Sequence, residues 1–133
     1  MADNIGILTV TGRKKLCRAH AGDTPLSPIT KMAWGDGGID ENGEPIEPTG
    51  NETGFYHELL SKDIESHNYM DEEQTICRYT ATLEDTELEN KMISEIGLYD
   101  SDGDLVVYRT FLPKGKDSDV SQTYHLEEIF VKG

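Results

Sequence analysis

Residues that would announce chemistry are scarce in this chain. Among 133 residues there are two cysteines and one tryptophan, and 12 Lys and Arg face 26 Asp and Glu for a net charge of −14. Cys17 and Cys77 stand far apart with no Cys-x-x-Cys partner, which excludes a disulfide framework and a zinc cluster of the usual spacing. Both are expected to be reduced, buried thiols. The shortage of basic side chains argues against binding a nucleic-acid backbone, which needs net positive surface. No run approaches the roughly 20 apolar residues of a membrane span, and the amino terminus lacks the apolar stretch of a signal peptide. Membrane insertion is therefore not expected, and a protein made and kept in a cytosol is. Apolar residues make up 35% of the chain and charged ones 29%, yet aromatic and β-branched residues recur through its middle and end. That pattern fits one folded, soluble domain over 1–133, burying about two thirds of its unfolded surface.

What is present is unevenly placed. Residues 1–35 carry five basic and two acidic side chains (+3), and residues 36–133 carry seven and twenty-four (−17). Thr9 or Thr11 can cap a helix over about 9–21, which Gly22, Pro25 and Pro28 would end. Its narrow buried side would be Val10, Leu16, Cys17 and Ala19. Arg13, Lys14, Lys15 and Arg18 fit the solvated side, either as a plain charged face or as a docking surface for an acidic partner.

Downstream the pattern turns to strands. Ile29–Trp34 reads as one, ending at Gly35-Asp36-Gly37-Gly38, where glycines can adopt positive φ at little steric cost. A long acidic, Gly- and Pro-rich loop over 36–53 follows, of the kind that is usually functional or mobile. Phe55–Leu60 suits a turn leading into a strand. Gln74–Leu83 is a clearer strand, joined to its predecessor by a turn at Asp71-Glu72-Glu73. Met92–Tyr99 and Leu105–Leu112 flank Asp100-Ser-Asp-Gly-Asp104 as a hairpin, and Thr123–Val131 makes a last strand after a polar loop at 114–121. The expected fold class is α+β, a predominantly antiparallel, sandwich-like β-sheet with an N-terminal helix and long polar loops, its β-rich core at about 29–35 and 60–131.

Several fragments imitate catalytic or metal motifs and fail on spacing. His57-Glu58 opens like a zinc-protease helix, but the position four after His57 is Ser61. Asp100, Asp102 and Asp104 resemble a calcium loop, yet glycine is fourth (Gly103) and Phe111 stands where the bidentate Glu belongs. The 35–38 glycines lack the Lys-Ser/Thr of a phosphate loop. The histidines at 20, 57, 67 and 125 are scattered, and none sits in a nucleophile motif. No catalytic, cofactor-binding or metal residue is assigned.

Read in order, Ile29-Thr-Lys-Met-Ala-Trp-Gly-Asp-Gly-Gly38, the Pro-rich spacer, Tyr56-His-Glu58, the β-rich stretch and Ser94-Glu-Ile-Gly-Leu-Tyr-Asp-Ser-Asp-Gly103 resemble the phage tail-collar fibre family. The likeness includes the helix opening Leu8-Thr-Val-Thr-Gly12 and covers nearly the whole chain. It implies a structural virion part, the amino-terminal domain that holds a trimeric tail fibre onto the baseplate of contractile-tailed phages and tail-like particles. Because this chain stops at Gly133 with no shaft or tip, the expectation is a free-standing adapter between baseplate proteins and a tail fibre or receptor-binding protein, acting as a homotrimer. It would be assembled in the bacterial host cytoplasm into a virion tail or tail-like, bacteriocin-like particle. The alternatives are a glycan-binding module working through the 36–53 loop, which contains no aromatic side chain to line a sugar groove, and a metal-dependent hydrolase.

The motif residues expected to matter structurally are Gly35, Asp36, Gly37, Gly38, Glu95, Gly97, Asp100 and Gly103. Glu95 interrupts an apolar strand and matches an acidic residue of the family motif. Its carboxylate is expected to accept from backbone N–H groups of the 35–38 turn, with Arg78 or Arg109 as alternative partners. Trp34 and Phe55 are the aromatic interface candidates, with core packing as the competing role.

Overall fold

Thr9 sets the first element. The structure, a computed structural model, describes residues 5–130. In it the Thr9 hydroxyl accepts from Gly12 N (3.0 Å) and donates to Leu105 O (2.7 Å), so one buried side chain both caps the helix and pins it to a strand. Helix α1 runs Val10–His20 and closes at Ala21, followed by Gly22 at φ +82°.

The face of α1 that meets the protein is not the one the apolar residues suggest. Gly12 is its buried residue, with Leu16 and Ala19 half-buried at the i+4 and i+7 positions. A Cβ on Gly12 would lie 2.8 Å from Val106 O, so the glycine sets how closely the helix can approach. Val10 (43% exposed) and Cys17 fall on the opposite side. The expectation that both are buried is thus corrected, and Cys77 is only half-buried.

Among the described residues eight strands follow the order β1 (Ile7–Leu8), β2 (Ile29–Gly35), β3 (Glu58–Asp63), β4 (Ser66–Tyr69), β5 (Ile76–Leu83), β6 (Lys91–Asp100), β7 (Leu105–Lys116) and β8 (Gln122–Ile129). They form a five-stranded sheet in the order β1-β7-β6-β2-β3 and a three-stranded sheet in the order β4-β5-β8. All pairings between these strands are antiparallel. The result is mostly antiparallel β-structure with one short N-terminal helix, an α+β, sandwich-like fold. The chain changes sheets between β3 and β4, where Ile64 N still bonds Thr30 O of one sheet and Glu65 N already bonds Thr80 O of the other.

Alternation along the strands fills the space between the sheets. Met32, Trp34, Ile96, Leu98 and Val107 of the larger sheet meet Ala81, Leu83 and Leu126 of the smaller. Trp34 is fully buried, its ring edge-on to Tyr124 at 5.8 Å. It is a core residue and is withdrawn as an interface candidate, because the i, i+2 alternation of Met32 and Trp34 points it inward.

Several boundaries move relative to the sequence expectation: strand β5 begins at Ile76, because Gln74 (φ +60°) still belongs to the preceding turn. The first strand after the long loop begins at Glu58, ahead of residue 60. Strand β7 continues to Lys116, which is fully buried, its ammonium donating to the Asp85 and Asp117 carbonyls; the polar loop is therefore shorter than 114–121. Strand β8 ends at Ile129, and Val131 lies outside the described residues.

Candidate functional site

Strand β6 is buried on both faces, from Ile93 through Leu98. One face supplies the inter-sheet core. The other carries Glu95, Gly97 and Tyr99, and the segment between β2 and β3 folds over it.

Glu95 holds that segment down. Its side chain is fully buried; Oε2 accepts from Gly37 N (2.9 Å) and His57 N (2.8 Å), while Oε1 accepts from Tyr56 N (3.1 Å) and Tyr108 Oη (2.5 Å). A carboxylate removed from water needs such donors, and here three are backbone amides from the two ends of one loop. The link from Glu95 to the 35–38 turn is through Gly37; Arg78 instead pairs with Glu127 at 2.7 Å. Burial, and then the Glu95 carboxylate, push the Tyr108 hydroxyl well above its ordinary pKa, so it remains a donor at all working pH values. Tyr99 is raised in the same way, by burial and by its bond to Glu58 at 2.5 Å.

The glycines around Glu95 serve close approach. Gly35, Gly37 and Gly38 do not have positive φ, contrary to the expectation for this turn. A Cβ on Gly35 would meet His57 O at 2.3 Å, one on Gly37 would meet His57 N at 2.7 Å, and one on Gly38 would meet Ser94 O at 2.3 Å. Gly97 leaves room for Phe55, whose ring atom would lie 2.9 Å from an added Cβ. Phe55 stacks on Tyr99 (6.0 Å, 20°) and meets Tyr108 edge-on (5.5 Å, 79°), half-buried as a lid on this face.

Further bonds tie the loop along its length. Gly38 N donates to Ser94 Oγ (3.0 Å), Ile46 N to Gly38 O (2.9 Å), and Thr110 Oγ1 to Ile46 O (2.6 Å). Asp36 N reaches His57 O at 3.1 Å, and its carboxylate contacts His57 Nδ1 at 2.5 Å. Gly50 O accepts from Val10 N at the helix start (2.6 Å). A segment with no strand of its own is thus fixed as an ordered outer layer.

The β6–β7 hairpin turn forms a second cluster. Asp100 Oδ1 accepts from Asp102 N and Asp104 N, both at 3.0 Å, and Gly103 takes φ +85°. The carboxylates of Asp100, Asp102 and Asp104 converge as metal ligands would. Lys15 Nζ sits among them at 2.6, 3.0 and 2.6 Å respectively. Burial opposes the Lys15 charge, but hydrogen bonds to the three carboxylates outweigh it and raise its pKa. Ser27 Oγ and then Lys15 hold the Asp102 carboxyl below its ordinary value. The place a cation would take is filled by the protein's own ammonium group. Lys15 is therefore removed from the solvated basic face, where Arg13, Lys14 and Arg18 are exposed.

Gly35, Asp36, Gly37, Gly38, Glu95 and Gly97 are brought together, with Phe55 over them. Asp100 and Gly103 belong to the Lys15 cluster. Sequence reasoning missed Tyr108 and the Tyr56 and His57 amides. The Tyr56-His-Glu58 block carried the only signal for those amides, and it marked them without saying that their backbone is what matters.

No curated protein matches the chain. The model of the N-terminal region of phage tail-collar fibre proteins matches residues 1–126, nearly the whole chain. With that match, and with glycines and an acid placed to fasten a loop, the chain belongs to the phage tail-collar fibre protein family, structural components of the phage tail.

Proposed function

We propose that this chain is an adapter that joins the tail baseplate to the tail fibre or receptor-binding protein, and that it acts as a homotrimer. The observation that carries this is the family match along nearly the whole chain. The latched outer layer supports it. A docking module gains affinity when its contact surface is ordered before the partner arrives, since less entropy is lost on binding, and residues 35–57 are ordered by Glu95 and the close glycines.

The domain extends over 1–133, catalysis plays no part in the role, and assembly takes place in the host cytoplasm, into either a phage or a tail-like particle. The exposed Arg13, Lys14 and Arg18 offer one charged contact, and the acidic remainder of the chain favours a partner with a basic face. Electron microscopy of particles from a strain lacking this chain tests the adapter role. Baseplates without attached fibres are expected; particles with fibres normally attached would overturn it. Weakening of reconstituted assembly between low and moderate salt is expected from the charge, and salt-independent assembly would exclude the electrostatic part.

A further inference from the structure

The inner face of the three-stranded sheet outruns the larger sheet. Along β5 and β8 the pair Tyr79 and Leu126 still belongs to the core, but one step further Cys77 pairs with Glu128, with Tyr69 beyond on β4. There Leu16 of α1 and the segment entering β2 at Leu26–Ile29 line the opposite side, and a groove of about 340 Å³ remains between them. That lies within the range of ligand pockets, about 300–1,000 Å³. Its rim is apolar and open to solvent, with Leu26 50%, Tyr69 54% and Phe130 43% exposed.

Glu128 lines this groove, and among the described residues no donor bonds its carboxylate. The two fully or almost fully buried acids elsewhere are treated differently. Glu95 has its N–H and O–H donors, and Asp100 has Lys15 and two amides. The other ionisable groups facing the groove do not neutralise Glu128. Lys15 is held by Asp100, Asp102 and Asp104; His67 sits against the Tyr69 and Tyr79 rings; Cys77 and Tyr79 are both raised, first by burial, and stay neutral.

We propose that the groove is a docking site for a segment of a neighbouring tail protein, which inserts a lysine or arginine side chain past the apolar rim to pair with the Glu128 carboxylate. The source of the segment rests on the tail role above; the chemistry of the site does not. An apolar collar around a single unpaired carboxylate selects an alkyl stem ending in a cation, since that side chain buries its methylenes while its head finds a counter-charge. The net charge of −14 draws basic partners to it. Burial pushes the Glu128 pKa up to about 7. A cation entering the groove favours the ionised form, so docking releases a proton near neutral pH.

The test uses the full chain and two probes of equal length, hexylammonium and the neutral hexanol, followed by side-chain NMR of Glu128 and the rim residues. Hexylammonium is expected to shift Leu26, Tyr69 and Phe130 and to lower the Glu128 pKa by at least about one unit, or tenfold in ionisation. Hexanol is expected to leave that pKa in place, and Glu128→Gln to weaken hexylammonium at least about fivefold, with the thermal midpoint held at pH 5, where the native side chain is also uncharged. Equal binding of the two probes, or of hexylammonium to protein and variant, overturns the proposal. So does a free-protein Glu128 that titrates near 4 in the native chain but near 7 in Lys132→Gln, because the chain's own Lys132 would then be the occupant. Incorporation into tails separates the two ideas. Glu128→Gln chains that enter tails normally would refute the docking site and leave the adapter standing, whereas native chains absent from tails would refute the adapter alone.

Discussion

Glu95→Gln keeps the shape of the side chain and removes its charge. In the native protein one carboxylate oxygen serves Gly37 N and His57 N and the other serves Tyr56 N and the Tyr108 hydroxyl. A glutamine carbonyl can keep the first pair. Its NH₂ then faces Tyr108, which can rotate to accept, and Tyr56 N–H, which cannot. One buried backbone donor is stranded, and the retained bonds lose their charge assistance. A stranded donor costs about 1–3 kcal/mol, and charged hydrogen bonds exceed neutral ones by roughly 1 kcal/mol. The expected loss is about 2–4 kcal/mol, a large part of the roughly 5–15 kcal/mol of a typical domain. At about 4 °C per kcal/mol for a chain of this length, the thermal midpoint should fall by about 8–16 °C. Urea unfolding gives the free energy, and hydrogen exchange locates it: the Gly37, Tyr56 and His57 amides should exchange faster. A midpoint within about 2 °C of the native value, with those three amides still protected, would refute the latch.

Three further perturbations probe the glycine approach, the Lys15 cluster and Glu128. Gly38→Ala places a Cβ 2.3 Å from Ser94 O, a backbone wall that cannot step aside, so urea unfolding should show a loss of at least about 2 kcal/mol. Lys15→Met leaves the buried Asp100 facing Asp102 and Asp104 without the ammonium; a loss of about 2–3 kcal/mol is expected, discounted from the 3–5 of a fully buried pair because Lys15 is partly exposed. Glu128 has a folded pKa raised from 4.5 to about 7, so the folded state holds a proton that the unfolded chain has released. Its contribution is present below about pH 4.5 and lost as pH rises through 7, up to about 3 kcal/mol. Urea titrations at pH 5 and pH 8 should show that decline in the native protein relative to Glu128→Gln, and parallel curves would contradict it.

Glu95 was visible in the sequence because an acid within an apolar strand has few options: it is solvated or it is bonded. Its donors were not visible. They are main-chain N–H groups at Gly37, Tyr56 and His57, and a backbone amide leaves no mark in composition. The helix was legible at its ends, where Thr9 and Gly22 act locally, and illegible on its sides. Apolar Val10 and Cys17 lie away from the protein, and the docking face is set by Gly12, whose signal is the absence of a side chain. The β6–β7 hairpin was plain from its turn. Strand β1, two residues long, and the passage from β3 to β4 were not, because both depend on partners distant in the chain. Lys15 looked like its basic neighbours until folding brought Asp100 within 2.6 Å.

The Lys15 clamp has a consequence for how this component of a phage tail keeps its shape. Turns built from converging carboxylates ordinarily borrow their counter-charge from solution, and their geometry then follows the calcium or magnesium at hand. Here the counter-charge is covalently attached to α1. It cannot be dialysed out or chelated, and it is present at one equivalent whatever the medium. The hairpin and the helix are thereby fixed to each other without a bound metal ion.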